Sequence, residues 1–342
     1  MKKVVCFGEV MLRLAPEGYL RFLQTDKFEA TFGGAEANVS VSLANYGLDP
    51  YFVSKLPKNP IGEACLNSMR YFGVNTSLCS RGGPRVGIYY CEKGASMRPS
   101  KVVYDRAGSS ISLAETTDFN WDEIFEDAIW FHFTGITPAV SDNAAAITLE
   151  AVKAAKAKGI TVSCDLNYRK NLWSKEKAGQ VMGEIVKYVD VLIANEEDSA
   201  DVFGIHADST DIESGKLSDE GYKSVARQLV ERFGCKYVGI TLRESISAND
   251  NNWSGLLYDA KDDSFFKSKK YSIRIVDRVG GGDSFGAGLI YSMIEGYDNQ
   301  SAIEYAVAAS ALKHTIEGDY NRVTVDEVKA LMGGSVSGRV QR

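Results

Sequence analysis

The sequence is poor in the residues that build metal centres and covalent staples. It holds only three histidines in 342 residues, and its six cysteines (Cys6, Cys65, Cys79, Cys91, Cys164, Cys235) contain no C-x-x-C pair. Neither a zinc site nor a disulfide framework is supported. Several of these cysteines sit in apolar, strand-like runs, where a buried reduced thiol is the ordinary state. No Lys/Arg block occurs, and a formal charge of −6 argues against nucleic-acid binding. No apolar run approaches membrane-spanning length. Met1 to Gly8 run directly into a strand and leave no room for a signal peptide. The expectation is a cytoplasmic protein with no membrane or nucleic-acid partner. Internal repeats and low-complexity stretches are also absent.

What remains is ordinary for a globular chain: 44% hydrophobic and 25% charged residues, enough to bury a substantial core. Short apolar runs at 4–7, 51–54, 128–133, 161–166, 189–194 and 237–242 alternate with helical periodicity at 37–45, 61–71, 142–158, 175–187 and 222–232. Such alternation predicts an α/β fold, a mostly parallel sheet with helices on both faces. Residues 11–32 and 86–104 break the pattern, with mixed polarity and many aromatics. They read as extra antiparallel strands, either a lid over a cleft and a dimer contact, or an extension of the main sheet's edge. Residues 333–342 are small and polar and are expected to fray.

The most informative stretch is Asp277-Arg278-Val279-Gly280-Gly281-Gly282-Asp283-Ser284-Phe285-Gly286-Ala287-Gly288. Three glycines can turn consecutive N–H groups toward one point, and a helix beginning near Asp283 adds its positive dipole end. A plain anion site has no use for an aspartate there. An enzyme moving a phosphoryl group onto an alcohol does, because the carboxylate can take the hydroxyl proton. The simpler reading is a tight strand-to-helix turn with an acid in the first helical turn. No Gly-Lys-Ser/Thr follows the glycines, which excludes a Walker A loop. The missing G-x-G-x-x-G disfavours a dinucleotide-dependent oxidoreductase.

A second cluster, Gly33-Gly34-Ala35-Glu36-Ala37-Asn38, precedes an apolar helical run. Paired glycines let a hydroxylated ligand approach the backbone, and Asn38 can both donate and accept. Together the two clusters resemble the signatures of the ribokinase-like, PfkB-type carbohydrate kinases, Gly-Gly-x-x-x-Asn and Asp-x-x-Gly-x-Gly-Asp-x-Phe. The resemblance spans nearly the whole chain. It implies a single ribokinase-like domain over residues 1–332 with a small β lid through which the chain pairs as a homodimer or higher oligomer. Asp283 is implied as the catalytic base, with the amides of Gly280, Gly281, Gly282 and Asp283 as the anion hole. ATP and Mg²⁺ are implied as cofactors, and a monovalent cation is left open.

Asn195-Glu196-Glu197-Asp198 resembles the family's Asn-x-x-Glu element, implying that Asn195 and Asp198 act on Mg²⁺ and phosphates through water. The same residues serve equally as a helix N-cap with acids behind it. Thr241, Arg243 and Ser245 stand where the family has a small-residue turn under the nucleotide, but the usual glycines are absent. Arg278 likewise occupies a common Thr position, and Gly281 a common Ala position. His314 is a candidate purine neighbour or a structural helix-face histidine.

The substrate follows from the arginines. Arg106, near Tyr104, and Arg169, near Tyr168, are each surface or structural residues taken singly. As a pair they suit a substrate carboxylate, which a guanidinium grips through two parallel hydrogen bonds. Within the family, Gly8 to Leu14, Phe28 to Asn38, Tyr104 to Arg106 and Leu312 to Asp319 resemble the 2-keto-3-deoxygluconate kinases. This implies phosphorylation of 2-dehydro-3-deoxy-D-gluconate at its 6-hydroxyl, with Gly33, Gly34, Asn38, Tyr90, Tyr104, Arg106, Asn167, Arg169, Asp283 and Asp319 around the sugar acid. The alternatives are a kinase of a neutral ketose such as fructose and a non-catalytic sugar-acid sensor.

Overall fold

Each central strand is apolar on both sides, and successive side chains point to opposite faces. The computed structural model, which describes residues 2–206 and 219–334, shows where each set goes. Val5, Phe7, Phe131, Phe133, Val162 and Cys164 join one buried cluster. Val4, Cys6, Phe52, Trp130, Val191 and Ile193 join a second on the other side of the sheet. Burial on both faces is the signature of a helix-covered parallel sheet.

The central sheet runs Ser264–Lys267, Asp250–Asp259, Tyr237–Ser245, Val191–Ala194, Thr161–Asp165, Ala128–Thr134, Lys3–Phe7, Asp49–Val53, with Tyr271–Arg274 also pairing Asp250–Asp259. From Tyr237–Ser245 to Asp49–Val53 neighbouring strands are parallel. The far edge is an antiparallel meander. Helices such as Ala35–Asn45, Asp142–Ala157, Lys175–Ile185, Gly281–Ile294 and Asn299–Lys313 cover the faces. Several begin on side-chain caps: Asn59, Ser141, Ser174, Asn195, Asp298 and Thr324 each accept a first-turn N–H. All six cysteines are buried and free.

A separate small sheet has the order Glu29–Gly33, Met11–Ala15, Gly87–Glu92, Lys101–Asp105. It is a sheet separate from the main one rather than an extension of its edge, and it differs from expectation in one pairing. Met11–Ala15 and Gly87–Glu92 are parallel rather than antiparallel, because a helix and a main-sheet strand lie between them in the chain. Residues 16–28 form turns and bends rather than strand. Of the tail expected to fray, residues 335–342 lie outside the described residues.

Candidate active site

The parallel strands end on one side of the molecule, where ligands of open α/β sheets collect. A cleft of about 1210 Å³ opens there between the strand ends and the small sheet. Glu9 follows the first strand, Asp165 ends another with Asn167 just beyond it, Asn195 and Asp198 follow a third, and Thr241 and Arg243 lie on a fourth; all line the cleft.

The glycine loop closes one end. Gly280 has φ 84° and caps the helix Gly281–Ile294, a backbone state that favours glycine. A Cβ there would lie 2.1 Å from the Asp319 carbonyl oxygen. The three glycines then divide their tasks. Gly280 and Gly282 line the cleft, and a Cβ on Gly282 would meet nothing within 4 Å. Gly281 is turned away: its Cβ would sit 2.3 Å from the imidazole of His314, and its N–H donates to the Arg278 carbonyl at 3.3 Å. Gly281 therefore packs beneath the loop, a correction to its expected place in the anion hole. The N–H groups of Gly282 and Asp283, in the first helical turn, have no acceptor within the helix.

The two sequence clusters meet at Asp283. Asn38 Nδ2 donates to Asp283 Oδ2 at 2.6 Å, joining residues 245 positions apart. Burial pushes the Asp283 carboxyl up to about 6; the Asn38 hydrogen bond, Arg169 and Lys313 oppose that shift, and Asp319 adds to it. Both paired glycines line the cleft, and each also sits where a side chain would not fit. A Cβ on Gly33 would lie 2.0 Å from Asp319 Oδ2, and one on Gly34 2.1 Å from the Glu9 carbonyl oxygen.

Behind the loop lies a buried ionic network that the sequence did not disclose. Arg13 of the lid strand donates through Nη2 to Asp277 Oδ2 and through Nη1 to Asp319 Oδ1, both at 2.6 Å. Tyr89 OH donates to Asp319 Oδ2 at 2.5 Å. Asp277 also accepts from Val279 N at 3.1 Å and Gly318 N at 3.2 Å, tying the start of the glycine loop to the segment that carries Asp319. Lys313, fully buried, donates to the Asp277 and Ile316 carbonyls.

On the sugar side, Arg106 is buried and bonded to Glu9, with Nε to Oε2 at 2.8 Å and a second, shorter bond through Nη2. Ser109 Oγ donates to the other Glu9 oxygen at 2.9 Å. Arg106 therefore reaches the cleft as an oriented guanidinium whose charge is already partly balanced, with Tyr104 5.4 Å from it. Tyr90 is a further correction: it sits on the outer face of the small sheet against Phe22 and Phe28, and its neighbour Tyr89 lines the cleft. Arg169 is exposed at the rim, while Asn167, with φ 40°, takes a left-handed turn that asparagine tolerates.

On the opposite side, Asn195 caps the helix Glu196–Phe203, accepting from Asp198 N at 2.7 Å and donating to Asp198 Oδ2 at 3.0 Å. Burial lifts Asp198 to about 6 against the pull of Arg169. Asp165 is lifted well above its usual range by burial, with Asp198 and Asp283 adding to it. Three carboxylates thus share this wall, and a cation would relieve all of them. Among the described residues no group of three His, Cys, Asp or Glu side chains is set to ligate a metal directly. His314 donates through Nδ1 to the Ser310 carbonyl, 2.7 Å away, and its ring lies 5.0 Å from Trp253. Burial holds it down to about 4, hence neutral. Thr241, Arg243 and His314 line the cleft; Ser245, exposed at the strand's end, does not. Where the family's glycine turn was expected, the strand continues into a hairpin with Asp250–Asp259.

A Rossmann-like sheet with an acid at a glycine-capped helix start, a facing asparagine and a separate β lid defines a sugar-phosphorylating α/β enzyme. A family model described as pfkB family carbohydrate kinase matches residues 1–324, and the chain belongs to that family. The crystal structure of 2-dehydro-3-deoxygluconokinase from Thermotoga maritima is 51% identical, with TM-score 0.93, covering 97% of this chain and 98% of that one. The 2-dehydro-3-deoxygalactonokinase of Haloferax volcanii is 32% identical over 98% of both chains. The 2-dehydro-3-deoxygluconokinase of Bacillus subtilis is 26% identical over 94% of this chain and 93% of its own. Among the described residues no helix is long and apolar enough to cross a membrane.

Proposed function

We propose that the protein is an ATP-dependent kinase of 2-dehydro-3-deoxy-D-gluconate, transferring the γ-phosphoryl group to the 6-hydroxyl. The observation that carries this reading is the Asn38–Asp283 hydrogen bond, which sets a carboxylate of raised pKa at the start of a glycine-capped helix. Asp283 accepts the hydroxyl proton as that oxygen attacks phosphorus, and the Gly282 and Asp283 amides face the charge on the transferring group. Asn38 holds Asp283 in place. Asp198 and Asn195, with Asp165 behind them, would hold Mg²⁺ through water, and the ion would neutralise charge on the phosphates. Positioning in a cleft that excludes water accounts for several further kcal/mol of barrier reduction.

The acid preference rests on Arg106 and Arg169, which bring guanidinium groups to a cleft otherwise rich in carboxylates. A neutral ketose gains little from them. The galactonate-type relative makes the epimer a question for measurement, and the higher identity to the gluconate-type structure favours the gluconate-derived acid. We also infer a homodimer through the lid, because Val102, Val103 and Tyr104 of the strand Lys101–Asp105 are all exposed.

The test is ADP release from MgATP with 2-keto-3-deoxygluconate, its galactonate-derived epimer, fructose, ribose and gluconate. A strong preference for a keto-deoxy acid is expected. Preference for a neutral sugar would retain Asp283 and discard the carboxylate clamp; silence across the panel would favour the sensor reading.

A further inference from the structure

A lysine ordinarily carries its ammonium out to water, even where its stem is covered. Lys313, the last residue of the helix Asn299–Lys313, is 0% exposed. Its stem runs beneath the glycine loop, where a Cβ on Gly280 would lie 3.2 Å from Lys313 Cε. Nζ donates to the carbonyl of Asp277, at the start of the loop, and to that of Ile316, in the turn after the helix, both at 3.2 Å. Among the described residues it forms no ion pair, because Asp277 and Asp319 are turned to Arg13 and Asp283 to Asn38. Backbone carbonyls converging on one point attract a cation, and the chain fills that point with an ammonium of its own. Around it stand Arg13 and the three carboxylates Asp277, Asp319 and Asp283. With all five ionised the group carries one net negative charge, and without the lysine two, just where a phosphoryl group must arrive. Burial holds the ammonium below its usual range, and the three carboxylates resist that loss of charge. Lys313 does not line the cleft, so whatever it does for a ligand it does through the loop.

We propose that Lys313 is a positioning residue for phosphoryl transfer, the resident cation of the glycine loop. Its ammonium ties Asp277 to the turn at Ile316 and offsets the carboxylates behind the Gly282 and Asp283 amides, so the loop needs no monovalent ion from solution. The inference rests on the kinase reading for the step that the loop serves, but not for the cation itself.

The experiment compares the whole protein with its Lys313→Met and Lys313→Ala variants in potassium, sodium and N-methylglucamine chloride, with and without propylammonium. Turnover of MgATP with the keto-deoxy acid, the KM for that acid and the melting temperature are read in each. At equal ionic strength the wild-type kcat should agree within about twofold across the three salts. Lys313→Met keeps the stem without its charge and should lose roughly 10- to 100-fold in kcat, the cost of a misaligned anion site, while the sugar-acid KM moves less than about twofold. Lys313→Ala leaves the stem's space open, so propylammonium should restore part of its kcat and raise its melting temperature. The same ion should do neither for Lys313→Met, whose side chain fills the space. A wild type active only with potassium, or a Lys313→Met kcat near the wild type's, would overturn the proposal; these two measurements decide it should Lys313→Ala not fold. A folded Lys313→Ala that propylammonium neither activates nor stabilises would reduce Lys313 to a packing contact and overturn it as well. A wild type that phosphorylates no sugar would instead overturn the kinase reading, and the melting temperatures alone would then decide whether the loop is built around a cation.

Discussion

Asp283 combines two properties that conflict: it must be ionised to accept a proton, and its surroundings disfavour the ionised form. With its carboxyl near 6, activity should rise with pH through about 6 and level above it, read as the acid limb of kcat/KM. Asp283→Asn should lower kcat by at least ~100-fold with little change in sugar-acid affinity; near-normal turnover would remove it from the role of base. The same shift has a stability consequence. A carboxyl raised from 3.8 to about 6 binds more protons folded than unfolded between those values, so its contribution to stability falls as pH climbs through that window. Asp283→Asn should therefore be more stable than the wild type at pH 8, by about 1–2 kcal/mol after allowing for residual exposure, and the gain should vanish below pH 4. Thermal melts at the two pH values decide it. At the rim, Arg169→Ala should raise the KM for the keto-deoxy acid well above any change for a neutral analogue, and an equal effect on both would sink the clamp.

At the scale of elements, the glycine loop shows how alike residues part in function. Gly281→Ala must push against His314 and should cost roughly 1–3 kcal/mol of stability. Gly282→Ala meets no neighbour and should leave the melting temperature nearly unchanged while narrowing the phosphate end of the cleft. Equal melts for the two would contradict the assignment. The strand–helix alternation and the two signatures were legible because long apolar runs and clustered glycines carry their meaning locally. What escaped was set by tertiary register. Tyr89 and Tyr90 are adjacent and aromatic, and both faces of the lid are partly covered, so nothing local says which one turns inward. Gly33 and Gly34 line the cleft, but the close packing of Asp319 and the Glu9 backbone against them, which also demands glycine, has no local signal. Arg13 carries no local signal of its role, since its two partners lie 264 and 306 positions away. Glu9, Asp165 and Trp253 line the cleft for similar reasons of assembly rather than pattern.

For the whole molecule, the small sheet serves both cleft and surface. If Val102 and Val103 are the seam between two copies, Val103→Lys should shift sedimentation from dimer to monomer, and a wild-type monomer at all concentrations would refute the pairing. The ion pairs of Arg13 matter at this scale too. They fasten one lid strand to Asp277 and Asp319, and removing the guanidinium would strand two buried carboxylates, a loss of about 3–5 kcal/mol. That fastening makes the lid a door with a fixed jamb. Met11–Ala15 is pinned to Asp277 and Asp319 through Arg13, and its neighbour Gly87–Glu92 to Asp319 through Tyr89, so any opening for product to leave must swing on the edge strand Lys101–Asp105. That strand carries Tyr104 and leads to Arg106, so the exit of the phosphorylated acid and the release of its recognising residues are one movement.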